Sequence, residues 1–425
     1  MNEYPKILVI SHNCFSKHGS NGRTLANFFI DWPQKSLAQF YINNEIPDSE
    51  VCNNYYRVTD VEVLKSFLKR IKVGKHIAYD KLVNSTEENK NLNTLYKRSR
   101  KRTPLNYLIR NFLWDRDKWR SKEFEEWIDK FDPDLILLQL GDYSFMLRIA
   151  LKLAKYKKIP LIVYNSEDYY FKDQKSFSPL YHFYRLDYKR QVERVINYAS
   201  HSIYNSRMLQ NTYNKKFDHE STVIMTSTDI EPSFHKVDNN PMIISYLGNL
   251  GVGRHEPLIE IANAVHCFDK NLYLDIYGKI PNEEAEKSLM ECNGIRIKGF
   301  IPYEEVIKVV QQSDVLIHAE NFSEFYRWDL KHAFSTKIAD SLASGTCFFM
   351  YAPEDMAATK YIKENDIAYV ANSKSEMEQI LNELISKKQI RKHYITKAQK
   401  IVKLNHDINK NSEQFKSLMI NKTKG

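Results

Sequence analysis

Residues 242–254 read MIISYLGNLGVGR. An apolar run rich in strand formers ends at Leu247. Gly248, Gly251 and Gly253 then crowd into six residues, and Arg254 leads into HEPLIEIANAVHCF, which is apolar at helical spacing. Strand, glycine loop and helix in that order open a βαβ unit. The chain has only 12 glycines in 425 residues, about 3% against a usual 7% or so, so three in one loop is a positional signal. The same grammar continues through LYLDIYGK (272–279), IRIKGFIPYEEVIKVVQQSDVLIHAE (295–320), HAFSTKIADSLASG (332–345), CFFMYAPED (347–355) and DIAYVAN (366–372). Gly345 stops one helix. Ser373 with Glu376 predicts a capping box for the next.

The first half shows the pattern independently. KILVISHN (6–13), DLILLQLGD (134–142), IPLIVYNSED (159–168) and HSIYNSRM (201–208) read as strands. Between them FMLRIALKLAKYKK and SPLYHFYRLDYKRQVERVINYAS read as helices, the second with Ser178 and Pro179 placed as N-cap and first residue. Strands alternating with helices predict two parallel, doubly wound sheets. The boundary is expected near residues 226–240, giving domains 1–232 and 233–390 and a helical tail 391–425. Two such domains suggest a ligand in a cleft that the strand C-terminal ends face.

Composition narrows the class. Apolar residues make up 43% and charged residues 27%, so a sizeable core is available and global disorder is not expected. No apolar run has the length of a membrane span, and MNEYPKILVISHN lacks the layout of a secretory signal. Cys14, Cys52, Cys267, Cys292 and Cys347 are odd in number and scattered, which argues against a disulfide framework and a zinc knuckle and for a reduced, cytosolic setting.

Two loops carry the chemistry. In GNLGVGR, unpaired N–H groups at the helix start favour a phosphate, and Arg254 adds a two-pronged cation. The spacing is not G-x-G-x-x-G, so a dinucleotide site is poorly supported; alone, the loop reads equally as an ordinary βα turn. In STKIADSLASG (335–345), Ser335 and Thr336 begin a helix, Lys337 sits in its first turn and Asp340 lies one turn on. Ammonium and carboxylate at that spacing suit a phosphate and ribose hydroxyls; a plain surface pair is the alternative.

With these residues in view, the chain resembles a GT-B glycosyltransferase and is most similar to the retaining family-4 type of bacterial polysaccharide biosynthesis. The resemblance covers nearly the whole chain, best in 242–372 and weakest in 45–125. It implies two Rossmann-like domains facing a central cleft, the first binding acceptor and the second a nucleotide-sugar donor. The family's Gly-Arg…Lys loop pattern is matched at Gly248 and Arg254, with Asn249 and His255 at the other two positions. The second of the family's two acidic residues matches Asp340, implying ribose contact. The first falls on His332, a departure for which Glu320 and Glu324 are alternatives. In the first domain, HNCFSKHGSNGRT (12–24) would face the cleft through Gly19, Gly22 and Arg23. Glu167 stands where many relatives carry a histidine near the sugar, and Asp142 is the second candidate.

Charge suggests a partner. Residues 61–124 hold 17 Lys and Arg against 7 Asp and Glu, a net of +10, while the whole chain nets +9. Cations there alternate with Leu, Ile, Phe, Tyr and Trp, including Trp114 and Trp119, as an interfacial helix on anionic lipid requires. A solvated insertion is the plain alternative; no nucleic-acid motif is present. The expected protein is therefore a hexosyltransferase-type enzyme, peripheral to the inner face of the cytoplasmic membrane. It would move a sugar to a lipid-linked glycan acceptor for a capsule, exopolysaccharide or similar polymer. It would use Arg254 and Lys337 in place of a metal, and need no cofactor, the nucleotide-sugar being a substrate. The D-x-D string at Asp115–Asp117 lies in the basic stretch and is discounted. A nucleotide-sugar epimerase and a non-catalytic nucleotide-sugar-binding module are the competing readings.

Overall fold

The computed structural model describes residues 4–17, 19–69, 72–78, 103–174, 176–231 and 238–424. The chain separates into two compact units, Met1–Ile224 with Ser412–Gly425, and Met225–Asn411. Part of the expected boundary, 232–237, lies outside the described residues.

The first unit is built on one sheet. Its strands are β1 (Ile7–Ser11), β2 (Leu37–Tyr41), β3 (Asn54–Arg57), β4 (Lys75–Ala78), β5 (Leu135–Gln139), β6 (Leu161–Asn165), β7 (His201–Tyr204) and β8 (Ser221–Val223). They lie in the order β4-β3-β2-β1-β5-β6-β7-β8. All pairs are parallel except β3 with β4. β1 is flanked on both edges, with Ile7 beside Leu37 and Leu135. Leu8 and Ile10 enter one apolar core and Ile7 and Val9 the other, which is why the strand reads as an unbroken apolar run.

The second unit has β9 (Ile244–Leu247), β10 (Leu274–Tyr277), β11 (Ile295–Gly299), β12 (Val315–Ala319), β13 (Cys347–Tyr351) and β14 (Tyr369–Ala371). The order is β11-β10-β9-β12-β13-β14, all parallel. Each sheet runs outward from its first strand to one side, then returns and runs to the other. This is the doubly wound topology that the strand–helix alternation predicts.

Local signals are met where they were read. Ser178 accepts from Tyr181 N–H with Pro179 opening the helix, and Gly345 takes φ +80 past the helix Thr336–Ala343. The Ser373 box is half formed: Ser373 accepts from Glu376 N–H, but Glu376 reaches Asn372 N–H instead of closing on Ser373. The C-terminal stretch is not a separate tail. In the helix Ile408–Lys424, Phe415 stacks on Phe28 at 4.8 Å, and residues from Ser412 on belong to the first unit.

The basic segment departs most from expectation. Its described part joins the first-unit sheet and core. It holds the helix Asp60–Lys69, the antiparallel edge strand β4 and the helix Pro104–Trp114. Trp114 and Trp119 are 2% and 1% exposed, inside the first-unit core. They anchor the fold and face no interface. Trp114 Nε1 donates to Asp60 Oδ1 at 2.9 Å, and Arg110 grips the same carboxylate through two bonds of 3.1 and 2.9 Å. Asp115 and Asp117, the D-x-D string, are tied to Arg148 and Lys152. The cluster Lys97, Arg98, Arg100, Lys101 and Arg102 lies outside the described residues.

Because the Asp60–Arg110 pair is nearly buried, removing one partner strands the other charge. Asp60→Ala should destabilise the first unit by about 3–5 kcal/mol. Asp60→Ala combined with Arg110→Met should recover part of that loss. Denaturant unfolding of the single and double variants measures both.

Candidate functional site

β9 has β10 on one edge and β12 on the other. Helices therefore leave this point toward opposite faces of the sheet and leave a crevice at the strand C-terminal ends. Two segments enter it: the loop 248–254 after β9, and Glu320 with Asn321 after β12.

The loop is held mainly by backbone bonds. Gly248 N–H donates to Tyr277 O at 2.8 Å and Leu250 N–H to Lys279 O at 3.3 Å. Tyr246 Oη donates to Asn249 O at 3.0 Å, and Gly251 N–H to Asn249 Oδ1 at 2.9 Å. Gly278, which sequence reasoning passed over, makes this approach possible: a Cβ there would stand 1.7 Å from Gly248 O. Gly253 is required twice over. Its φ is +72, and a Cβ would strike Tyr326 and the Asn321 amide at 2.5 and 2.6 Å. Val252, β-branched, takes φ +55 beside it, a conformation costing about 1–3 kcal/mol that the surrounding bonds must impose.

Arg254 stands at the N-cap of the helix His255–Phe268. Its guanidinium is not an unengaged cation awaiting an anion. Nε donates to Glu320 Oε2 at 2.8 Å, Nη2 to Oε1 at 2.9 Å, and Nη1 approaches Asn249 O at 3.4 Å. His318 Nε2 donates to Glu320 Oε1 at 3.0 Å. Burial by itself raises the Glu320 pKa, but Arg254 and His318 outweigh it and hold the carboxyl at about 2. Sequence reading offered Glu320 and Glu324 together as alternatives to His332. Their places separate them: Glu324 is exposed in the first turn of Glu324–Leu330, whereas Glu320 is buried against the loop.

The second motif joins the first through Lys337. Its Cδ lies 3.4 Å from where a Gly248 Cβ would stand, so the side chain crosses the glycine loop. Ser335 is the N-cap of Thr336–Ala343 but makes no side-chain cap bond. Asp340 does not reach a solvated cleft. It is 4% exposed, and Oδ1 accepts from Thr228 Oγ1 at 2.7 Å. Thr228 N–H donates to His406 O at 3.0 Å. His406 Nδ1 donates to Thr226 O at 2.7 Å, which leaves Nε2 to accept from Tyr361 Oη at 2.9 Å. Burial pushes His406 down to about 4, so it is neutral. Asp340 thus belongs to a buried network that pins residues 226–228. The correction arises because partners 112 residues apart meet, which helical spacing cannot reveal. His332 is half-buried beyond the helix Glu324–Leu330.

In the first unit, Asp142 and Glu167 follow the neighbouring strands β5 and β6. Tyr107 Oη donates to Asp142 Oδ2 at 2.7 Å, and Tyr169 Oη to Glu167 Oε2 at 2.9 Å. Gly19 is the N-cap of Ser20–Asn27. Gly22 serves the loop's own fold: a Cβ there would meet Cys14 O at 2.4 Å. Arg23, in the same helix, donates its backbone N–H to Gly19 O at 2.7 Å. Among the described residues, no three His, Cys, Asp or Glu side chains are grouped to hold a metal.

Residues 258–417 match a family described as "Glycosyl transferase-like". A search of curated proteins by sequence gave no match. Solved structures resemble the whole chain. HepE of Anabaena, in complex with UDP and glucose, is 13% identical with a TM-score of 0.62 over 98% of this chain and 99% of its own. Sucrose-phosphate synthase of Thermosynechococcus elongatus is 12% identical with a TM-score of 0.61 over 98% of both chains. WaaG, a glycosyltransferase involved in lipopolysaccharide biosynthesis, is 10% identical with a TM-score of 0.58 over 97% of this chain and 99% of its own. The likeness shows the fold: two Rossmann-like units of the GT-B architecture.

Two outcomes follow from the site's electrostatics. Glu320 is more acidic folded than its ordinary 4.5. Its ionisation therefore stabilises the fold above that value, and the contribution is lost as pH falls from about 4.5 toward about 2. Glu320→Gln should flatten that part of the stability–pH profile, read by thermal unfolding. Asp340→Ala and Thr228→Val should each cost about 1–3 kcal/mol, with the double variant losing less than the sum. Denaturant unfolding of the three variants checks this.

Proposed function

We propose that the chain is a glycosyltransferase that takes a nucleotide-sugar in its second unit and transfers the sugar to a lipid-linked oligosaccharide or similar glycan precursor. The observation that carries this reading is the convergence of the glycine loop 248–254, Arg254 and Lys337 at the β9–β12 crevice. A nucleoside diphosphate leaving group gains negative charge as the sugar departs. Two side-chain cations at that crevice stabilise that charge without a bound metal in this reading. The resemblance adds retention of configuration and a hexose as the transferred sugar. Glu167 and Asp142, at first-unit strand ends, are the groups proposed to meet the reacting sugar. Gly248, Asn249, Ser335 and Thr336 complete the donor contacts.

A second reading is favoured by one finding. His332 stands where the resemblance implies an acidic residue, so a group for the transfer step would be missing, as in a binding module without transfer. Hydrolysis of nucleotide-sugars separates the two: a transferase slowly releases sugar from its donor, and a binding module does not.

The membrane reading keeps the segment 61–124 but passes from its tryptophans to other apolar side chains. Leu64, Phe67, Leu105, Ile109 and Phe112 are exposed on the helices Asp60–Lys69 and Pro104–Trp114, and Phe183 is 65% exposed on the adjoining Pro179–Tyr198. Arg116 lies 4.6 Å over the Phe112 ring and 5.7 Å over Phe67. Apolar groups with a cation among them suit the headgroup boundary of an anionic bilayer. No described helix is long and apolar enough to cross a membrane.

Activity should persist in EDTA; loss on chelation with recovery in manganese or magnesium would overturn the assignment of Arg254 and Lys337. Lys337→Ala should weaken binding of the nucleoside diphosphate measured by calorimetry, by a loss on the order of one charge-assisted bond, about 1.5–3 kcal/mol. Phe67→Ser with Phe112→Ser should reduce sedimentation with phosphatidylserine-containing vesicles; unchanged sedimentation would remove this face from the reading.

A further inference from the structure

An arginine carries two bidentate edges, Nε with Nη2, and Nη1 with Nη2. In Arg254 the first edge is filled by the two oxygens of Glu320. Its direction is therefore set by where Glu320 stands. Glu320 is itself fixed: it is buried at the end of β12 and bonded by His318. The next residue, Asn321, clasps the other side of the loop, donating to Gly253 O at 2.8 Å and Glu256 Oε2 at 3.0 Å and accepting from Ser323 N–H at 2.8 Å. The end of β12 thus grips the glycine loop at both Gly253 and Arg254.

We infer that Glu320 is a positioning residue of the proposed donor site, holding the Arg254 guanidinium by its inner edge so that its outer edge meets the donor diphosphate at a fixed angle. This rests on the donor reading above. The pairing divides labour between the two cations. Arg254 and Glu320 together are close to neutral, and Lys337, whose Cδ stands beside Gly248, is the second cation of the proposed site. Arg254 supplies direction, which matters most when charge gathers on the leaving oxygen. A merely structural ion pair would link those residues just as tightly but would not separate binding from turnover.

The test uses the whole protein with Glu320→Gln, Arg254→Gln and the double variant. UDP binding is read by calorimetry and release of glucose from UDP-glucose by steady-state kinetics; GDP-, CMP- and TDP-sugars replace these if the wild type binds another nucleotide. Phenylglyoxal labelling of Arg254, read by peptide mass spectrometry without nucleotide, reports the inner edge directly. For Glu320→Gln, nucleotide affinity should be unchanged or higher, because a carboxylate near the diphosphate is gone. Turnover should fall by about tenfold or more, and labelling of Arg254 should rise. The double variant should be no slower than Arg254→Gln, since Glu320 acts through Arg254. Wild-type turnover in Glu320→Gln, or losses that add in the double variant, would overturn the positioning role while leaving the donor site standing. Absence of binding by the wild type to all four nucleotides would sink the donor reading and this inference together, whatever the labelling shows. If Glu320→Gln does not fold, Glu320→Asp, which keeps the charge but is one methylene too short to reach both nitrogens, takes its place: nucleotide affinity should stay unchanged, turnover should fall and labelling of Arg254 should rise.

Discussion

The pairing of β9 between β10 and β12 constrains everything around it in the second unit. A central strand with parallel neighbours on both edges forces its outgoing loop to the strand ends, where the helices part. The loop 248–254 cannot drift, because Gly248 is bonded to the last residue of β10 and Leu250 to the turn after it, and Glu320 and Asn321, just past the end of β12, hold Arg254 and Gly253. The first unit repeats the constraint with β1 between β2 and β5, and its two candidate carboxylates fall beside the same kind of crevice.

Buried carboxylates are met by donors in both units. Asp60 is met by Arg110 and Trp114, Glu320 by Arg254 and His318, and Asp340 by the Thr228 hydroxyl. A carboxylate removed from water must be satisfied this way, since the desolvation cost otherwise exceeds what folding supplies. Each pair also joins stretches far apart in the chain. Asp340 with Thr228 ties a helix to the segment that begins the second unit, and His406 ties that segment to the returning helices.

The basic segment shows what composition leaves open. Lys and Arg alternating with aromatics describe an interfacial helix and a core helix equally well. Trp114 and Trp119 have the amphipathic bodies that favour an interface. What decided the burial of Trp114 was the Asp60 carboxylate and the Phe145 ring, which stacks on it at 4.5 Å, while Trp119 packs edge-on against Phe40 and Phe124. The exposed apolar groups include Phe67 and Phe112, within the stretch that charge singled out, and Phe183, outside it.

Sequence alone determined the strand–helix alternation, the two doubly wound sheets, the capped helices at Ser178 and Ser373, and the two loops with cations near glycine. These features are local: apolar periodicity, turn residues and caps act within a few residues, so one chain without relatives displays them. The tertiary structure decided which charges meet. That Arg254 is spoken for by Glu320, that Lys337 crosses Gly248, that Gly278 makes room for the loop and that Asp340 turns inward all depend on contacts between residues tens of positions apart. Such pairings follow from strand order and register, because these set the distances within which Coulomb attraction and hydrogen bonding act, and no periodicity along the chain encodes them.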